Sequence, residues 1–577
     1  MNVDPRIASP PANATPVTSN IYWRVTQPAV RRALSLQDSN PASATYGCCD
    51  RTFWQYRTIS SFPAATMQQV ALPFVVLFEN EFPGNDWYHD GEIFDRARAA
   101  MRFWARSQHP SGAVDEWYRH EHSYCATAFT TFGMAEACLR LHDRLPAVDR
   151  DPIVRALWRA AQWLGDRFND EVMNQNLAAA AALWNVHALT GDARVKTAFD
   201  KTWQRTLAHQ DAEGWFVEYG GADLGYSLLA LDLLAFLDRR GAPDASQAAR
   251  SLSRFAAAFT VGASDLAGRL GSRGTEHSFA FGAEAFASAI PEAGMVAAHL
   301  RCVLANKTVA DPQTVDDRYL AYFYLPSFVM AASLGDKTIT SQRTAESRAF
   351  DHSGFYISRR RGGDVVCSTR RTGAFNLYTP TGLVHRNVGY WIETDEGTRY
   401  ASCAWSPDAK TMRSAPDGLA VEGTCVRVDD NLPLVRHEVA FRAATQWLFR
   451  LPAVAEPFHR FIKRRKITRK VTAPLVLTRE LRWTADALTV TDTLRARDGA
   501  PRLTAVTPAA DIEGHSPSAR LSGGLATHVI RAPRATSEAW AERINTAGRL
   551  VLVTSYAANA DGHLTFVAIR EEPGART

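Results

Sequence analysis

Tyr124, the cluster Asn174-Gln175-Asn176, Tyr226 and His277 mark positions 124, 175, 226 and 277, a constant step of 51 residues. Phenols, carboxamides and an imidazole are groups that hydrogen-bond a carboxylate and move a proton. Each stands where a polar loop gives way to an apolar helical pattern. Two copies share more than spacing, because Gly112, Glu116 and Tyr124 recur 102 residues later as Gly214, Glu218 and Tyr226. A unit of fixed length that brings polar groups to the same end of successive helices builds one shared cleft.

Tyr226 follows the glycine-rich run from Glu213 to Asp223 and projects from the first turn of a helix. A phenol, with an ordinary pKa of about 10, serves as a base beside cations, or as one group that takes a proton and returns it. The plain alternative is the polar edge of an apolar helix. In the amide cluster one Asn caps the helix and the other is left to donate to a carboxylate, the role we favour for Asn174. Arg273 is suited to bidentate pairing with a carboxylate, His277 to donation or proton shuttling, and Glu276 to orienting one of them, with an internal salt bridge closing the loop as the alternative. Glu116, His120, Glu121 and His122 stand just before Tyr124. So many ligand types raise a metal site, but their spacing fits no helical zinc motif, and neither a metal nor a cofactor is expected. Tyr124, His120, Glu116 and Glu218 join Arg273, Glu276 and Arg386 as expected substrate contacts. Thr379 to Asn387 reads as a Gly/Pro loop that offers His385, Arg386 and Asn387 to an anionic substrate across a domain boundary.

The elements that position these groups divide the chain by period. From about Asn20 to Leu334 apolar residues recur at three- and four-residue steps, as in 96–107, 123–142, 153–168, 178–189, 193–208, 224–237 and 245–259. Two helices and two connections fill one step, so each is an αα-hairpin. Counting outward gives about six, with the outer ones near 68–82 and 319–334. The expected form is an incomplete (α/α) toroid with inner-helix starts ringing the cleft. From about Phe350 the period falls to two in 355–359, 389–394, 419–423, 475–479 and 488–492, which predicts an antiparallel β-sandwich. Residues 1–19 read as a disordered segment, 20–334 as the toroid, 335–349 as a linker and 350–577 as the β domain.

Bulk composition fits that division. A chain of 577 residues is long enough for two cores, and 46% apolar with 22% charged residues describes an ordinary globular protein. A net charge of +5 is small, and Lys463-Arg-Arg-Lys466 reads as a solvated turn or edge. Nucleic-acid binding and a membrane span are not expected. The eight cysteines are scattered and suit free buried thiols. The N-terminus lacks a basic region followed by an apolar one. The expected location is therefore the cytoplasm if this N-terminus is native, and the periplasm or exterior if a leader was trimmed.

On Asn174-Gln-Asn with its alanine-rich helix ending Leu-Thr-Gly-Asp192, on Gly-Gly-x-x-x-Gly-Tyr226, and on Ser353-Gly-Phe-Tyr-Ile-Ser-Arg359 with His385 downstream, the chain resembles the heparinase II/III-like polysaccharide lyases. The resemblance implies a toroid followed by an antiparallel β-sandwich, and β-elimination on a uronic-acid-containing, acidic polysaccharide. It implies that Asn174 neutralises the carboxylate, Tyr226 is acid and sometimes base, and His385 assists. Gln175 stands where the family often has His, and His385-Arg-Asn387 departs from the His-x-Asp of a structural zinc. Two other readings stay open: a glycoside hydrolase using Glu116 and Glu218, and a non-catalytic carbohydrate-binding protein of polysaccharide biosynthesis.

Overall fold

A computed structural model describes residues 20–56, 59–262, 265–335, 347–360, 362–380, 382–415, 417–428, 434–463, 471–484, 486–509 and 530–572. The expected N-terminal segment 1–19, most of the linker and the basic residues 464–466 lie outside that set. Among the described residues, twelve helices pair into six hairpins. Their outer members are α1 (Ile21–Leu36), α3 (Gly91–Ser107), α5 (Ala147–Gly165), α7 (Ala193–Leu207), α9 (Ala245–Ala257) and α11 (Pro291–Ala305). The inner members are α2 (Ala71–Glu79), α4 (Tyr124–Leu141), α6 (Met173–Thr190), α8 (Leu224–Arg239), α10 (Phe281–Phe286) and α12 (Leu325–Ser333). The inner helices are buried nearly all round, as Leu177 to Leu183 of α6 illustrate. The two ends of the toroid meet, since Asn20 donates to the Ala332 carbonyl at 3.0 Å and Tyr22 packs edge-on against Phe328.

A repeated clasp fixes the loops that lead into the inner helices α4 and α8. Gly112 and Gly214 adopt φ of +97° and +104°, and a Cβ on either would enter the backbone of the adjacent outer helix, at Arg159 and Ser251. Gln108 donates to the carbonyls of Gly112 and Ala156 at 2.8 and 2.9 Å, and Gln210 does the same to Gly214 and Ala248 at 2.9 Å each. Gln37 reaches the Arg96 carbonyl in the same manner. The repeat thus lies in backbone geometry as well as in spacing.

The second half holds fourteen strands among the described residues, all paired antiparallel where they pair. A meander of β1 (Arg348–Phe350), β2 (Phe355–Arg360), β3 (Gly363–Ser368), β4 (Ala374–Thr379) and β5 (Gly382–Asn387) forms one sheet. The other contains β6 (Tyr390–Thr394), β7 (Arg399–Ala401), β8 (Lys410–Ala415), β9 (Gly418–Val428), β10 (Thr472–Trp483), β11 (Ala487–Ala496), β12 (Leu503–Pro508), β13 (Arg549–Ala558) and β14 (Leu564–Glu571). The two sheets stack through a shared apolar cluster that includes Tyr356, Phe375, Leu377, Val421, Trp483, Val490 and Tyr556. Two features were not expected. Between β9 and β10 the chain inserts α13 (Val435–Trp447) and α14 (Pro452–Lys463), and α15 (Arg534–Ala547) precedes β13.

The segment read as a loop over Thr379 to Asn387 is instead mostly strand β5, with Leu377 opposite His385 and Asn376 opposite Arg386. Neighbouring residues of a strand face opposite sides, so His385 and Arg386 cannot serve one site. No described helix is long and apolar enough to cross a membrane.

Candidate active site

The segment Arg273 to His277 is tied to the start of α8 by one carboxylate. Asp223 caps that helix, accepting from the Tyr226 N–H at 3.2 Å, and also accepts from the Arg273 N–H at 3.0 Å and from the Thr275 hydroxyl. Arg273 and His277 are thereby held beside Tyr226, whose ring centroid is 5.6 Å from that of His277. The Arg273 guanidinium lies 4.2 Å from the centroid of the Tyr219 ring. It has no carboxylate within ion-pair range among the described residues, and its buried Nε has no hydrogen-bond partner. A desolvated cation without a direct ion pair is costly, and this one is half-buried, with Asp223 and Glu218 acting on it only from beyond ion-pair range. Tyr219 holds a left-handed φ of +54°, a strain that turns its ring under the guanidinium.

Burial pushes the Tyr226 phenol well up, with Tyr319 adding to the rise and Arg273 opposing it. Burial also holds the His277 imidazole down at about 3. Around neutral pH the pair is therefore a protonated phenol beside a neutral imidazole. The His277 Nδ1 lies 3.2 Å from the Tyr324 hydroxyl, and its Nε2 is buried without a partner.

Asn174 is held by Glu218. The backbone N–H and the Nδ2 of Asn174 donate to the two Glu218 oxygens at 2.8 and 2.7 Å, which leaves one amide hydrogen and the amide oxygen uncommitted. Burial pushes the Glu218 carboxyl up, while the Asn174 bonds and the Arg273 charge pull it down. The capping role considered for one Asn goes to neither, because α6 begins after Val172 without a side-chain cap. Asn176 instead clasps the preceding loop, accepting from the Asn169 N–H and donating to its carbonyl. It also accepts from the Tyr124 hydroxyl at 2.8 Å, so Tyr124 is spent on packing the hairpin rather than offered to a substrate.

Several other expected contacts are engaged inside the fold. Glu276 pairs bidentately with Arg269 at 2.6 and 3.1 Å, and Arg386 approaches Glu276 at 3.6 Å and Asp265 at 3.1 Å. These buried groups join the β domain to the toroid, which is the salt-bridge alternative and not substrate binding. Glu116 accepts from Ser123 and faces Arg318. His120 lies near His109 in the loop before α4. His385 points into the space between the two sheets, where its Nδ1 meets the Tyr556 hydroxyl at 2.5 Å and its ring packs against Phe566. Strand alternation places it on the face away from Arg386, and hence away from the toroid.

Tyr219, Asp223, Tyr319 and Trp405 were not singled out from the sequence. The Tyr219 signal lay in Glu-Tyr-Gly-Gly, where a residue before paired glycines is free to turn left-handed. Trp405 carries no sequence signal, since its indole reaches Gly220 and Gly221 from the β domain.

No protein-family model matches the chain, and no curated protein matches it. Among solved structures it is similar to a Streptomyces coelicolor A3 chondroitin AC lyase variant, at 11% identity and TM-score 0.47 over 88% of this chain and 69% of that one. The same lyase in complex with chondroitin sulphate gives 10% and 0.46 over the same shares. Heparinase III gives 9% and 0.44 over 88% of this chain and 78% of that one. At these identities the likeness assigns no residue and no substrate to this chain.

Proposed function

We propose that the chain is a polysaccharide lyase that cleaves a uronic-acid-containing polysaccharide by β-elimination, with the start of α8 and the Arg273 segment as its centre. The observation that carries this reading is the Arg273 guanidinium, half-buried, without a carboxylate partner and stacked on Tyr219 beside Tyr226. An incoming uronate carboxylate supplies the direct ion-pair partner that Arg273 lacks among the described residues. Pairing with Arg273, and donation from the free amide hydrogen of Asn174, spread the charge that builds on the carboxylate as the neighbouring C–H proton leaves. One such donor is typically worth about 3–4 kcal/mol in the transition state. Tyr226 is the acid and base, with the neutral His277 beside it as proton acceptor. Tyr226 passes its phenolic proton to His277 and takes the proton from C5. The C5–H electron pair forms the C4–C5 double bond as the glycosidic C4–O bond breaks. The departing oxygen takes the proton that Tyr226 gained, and His277 returns the other to Tyr226.

Two features of the fold speak against the hydrolase alternative. Both Glu218 oxygens are occupied by Asn174, and Glu116 is held by Ser123 and Arg318, whereas a hydrolytic pair must face the scissile bond. The deciding experiment incubates the protein with a panel of acidic polysaccharides. Ultraviolet absorbance from an unsaturated uronate supports the lyase, and Tyr226→Phe is expected to lower its rate by about 10²–10⁴-fold, the usual size of a lost acid–base group. Full activity in Tyr226→Phe, or new reducing ends without that absorbance, overturns the proposal.

A further inference from the structure

The loop that leads into α4 gathers three imidazoles. His109, His120 and His122 are each half-buried and each offers a ring nitrogen, all within 4.8 Å of one another. The His109 and His122 rings stack at 4.2 Å between centroids, and the His120 ring lies 5.5 Å from that of His109. One carboxylate organises the group. Asp115 receives His109 Nε2 at 2.8 Å through Oδ1, the His122 N–H at 3.1 Å through the same oxygen, and the His120 N–H at 2.8 Å through Oδ2. The loop is closed at its base by the bridge between Val114 and Ser123. His120 and His122 are both held left-handed, with φ of 61° and 51°, a conformation that costs about 1–2 kcal/mol for a residue with a Cβ. The Asp115 bonds hold that strain in place, and the His122 Nδ1 rests 3.3 Å from the Ser111 hydroxyl. The Nε2 of His120 is buried with no hydrogen-bond partner.

We propose that His109, His120 and His122 bind a divalent transition-metal ion of the zinc type, with Asp115 orienting His109 from behind. Three neutral imidazoles suit zinc, copper or nickel over calcium or magnesium, which prefer oxygen ligands. A carboxylate on the far nitrogen of a ligating histidine fixes the ring and leaves its other nitrogen for the metal. Zinc-bound imidazole nitrogens, at about 2.0–2.1 Å from the ion, stand about 3.4 Å apart in a tetrahedron. The present nitrogens lie within 4.8 Å of one another, so binding draws them together out of the His109–His122 stack, and the half-exposed face leaves a fourth position for water. The sequence argued against a metal because the spacing suits no helix, but these residues lie on a loop, where helical spacing does not apply.

The test uses the full chain without an affinity tag, stripped with a chelator, exposed to micromolar zinc and passed through gel filtration. One zinc per chain is expected in the wild type, and less than a tenth of that in His109→Ala and His120→Ala. The exposed His142→Ala serves as control and keeps full occupancy. Cobalt in place of zinc is expected to give the intense visible bands of a tetrahedral site in the wild type, a readout that does not depend on the variants folding. Absence of stoichiometric zinc in the wild type, retention of zinc by His120→Ala, or octahedral cobalt bands each overturn the assignment. None of these measurements involves lyase activity, so the site stands or falls separately from the proposed reaction.

Discussion

Arg273 and His277 face the same problem from opposite sides, since both are polar groups taken out of water. Arg273 keeps its charge, and Arg273→Ala is expected to raise KM and lower kcat together, by at least about tenfold in kcat/KM for loss of a charge-assisted bond worth about 1.5–3 kcal/mol. Steady-state kinetics on the unsaturated product read this directly. His277 gives up its charge instead. Its folded-state value of about 3 compares with about 6.5 in an unfolded chain, so the unfolded state binds the proton more readily. Its contribution to stability is therefore whole above pH about 6.5 and lost as pH falls toward about 3. Denaturant midpoints across that range are expected to fall less steeply in His277→Gln than in the wild type. Tyr226, Asn174 and His277 were legible as residue types at repeated positions, and Arg273 as a cation in the loop before the last of them. Their partners Glu218, Asp223 and Tyr219 were not assigned these roles, because a carboxylate that orients a neighbour looks the same in a sequence as one that reacts.

The strands and helices were the most legible level, and the exceptions have physical causes. Five of the six inner helices announced themselves by apolar runs, the six-residue α10 being too short to show a helical period, and β2, β6, β9, β10 and β11 by alternation. Strand β5 was missed because Pro380 precedes it and Gly382 opens it, and punctuation of that kind reads as a loop until pairing with β4 is known. The insertion of α13 and α14 was missed because its apolar residues stay largely exposed, as Val435 at 80% and Trp447 at 73% show. The Gln clasp lies at this scale too. Gln210→Ala strips the partner from two backbone carbonyls and is expected to cost about 1–3 kcal/mol in chemical denaturation. Between α8 and α10, burial raises the Asp232 carboxyl to about 7 while the Gly282 N–H donates to it at 2.6 Å. The contribution of Asp232 is whole below pH about 3.9 and lost as pH rises through about 7. Asp232→Asn, which keeps the acceptor without the charge, is expected to raise Tm at pH about 8 and to change it little at about 4.

Toroid and β domain are joined by buried charge as well as by apolar packing. Arg386 from β5 enters the toroid to reach Asp265 and Glu276, Arg371 donates to the Gly271 carbonyl at 3.1 and 2.8 Å, and Phe255 and Phe259 pack on Phe350 and Phe355. Removing one partner of a buried ion pair costs about 3–5 kcal/mol, because the other is left charged and unpaired. Arg386→Ala is therefore expected to lower Tm and to split a single calorimetric transition into two as the halves lose their coupling. The division into a helical and a β half was legible from the change of period near residue 350. The seam between them was not, since its residues come from segments more than a hundred positions apart, as Asp265 and Arg386 do, and no local pattern relates them.

The indole of Trp405 comes from the β domain and rests on Gly220 and Gly221, six and five residues before Tyr226. A side chain from one folding unit is thus packed against the turn, between Tyr219 and Asp223 of the other, on which the proposed function rests. An exchange at 405 is therefore felt through that turn, where the Glu218 N–H donates to the Gly221 carbonyl at 2.8 Å, before it is felt at Tyr226, Asn174 or Arg273. Under the proposed function, the β half thereby keeps a remote grip on the geometry of a site built from the helical half.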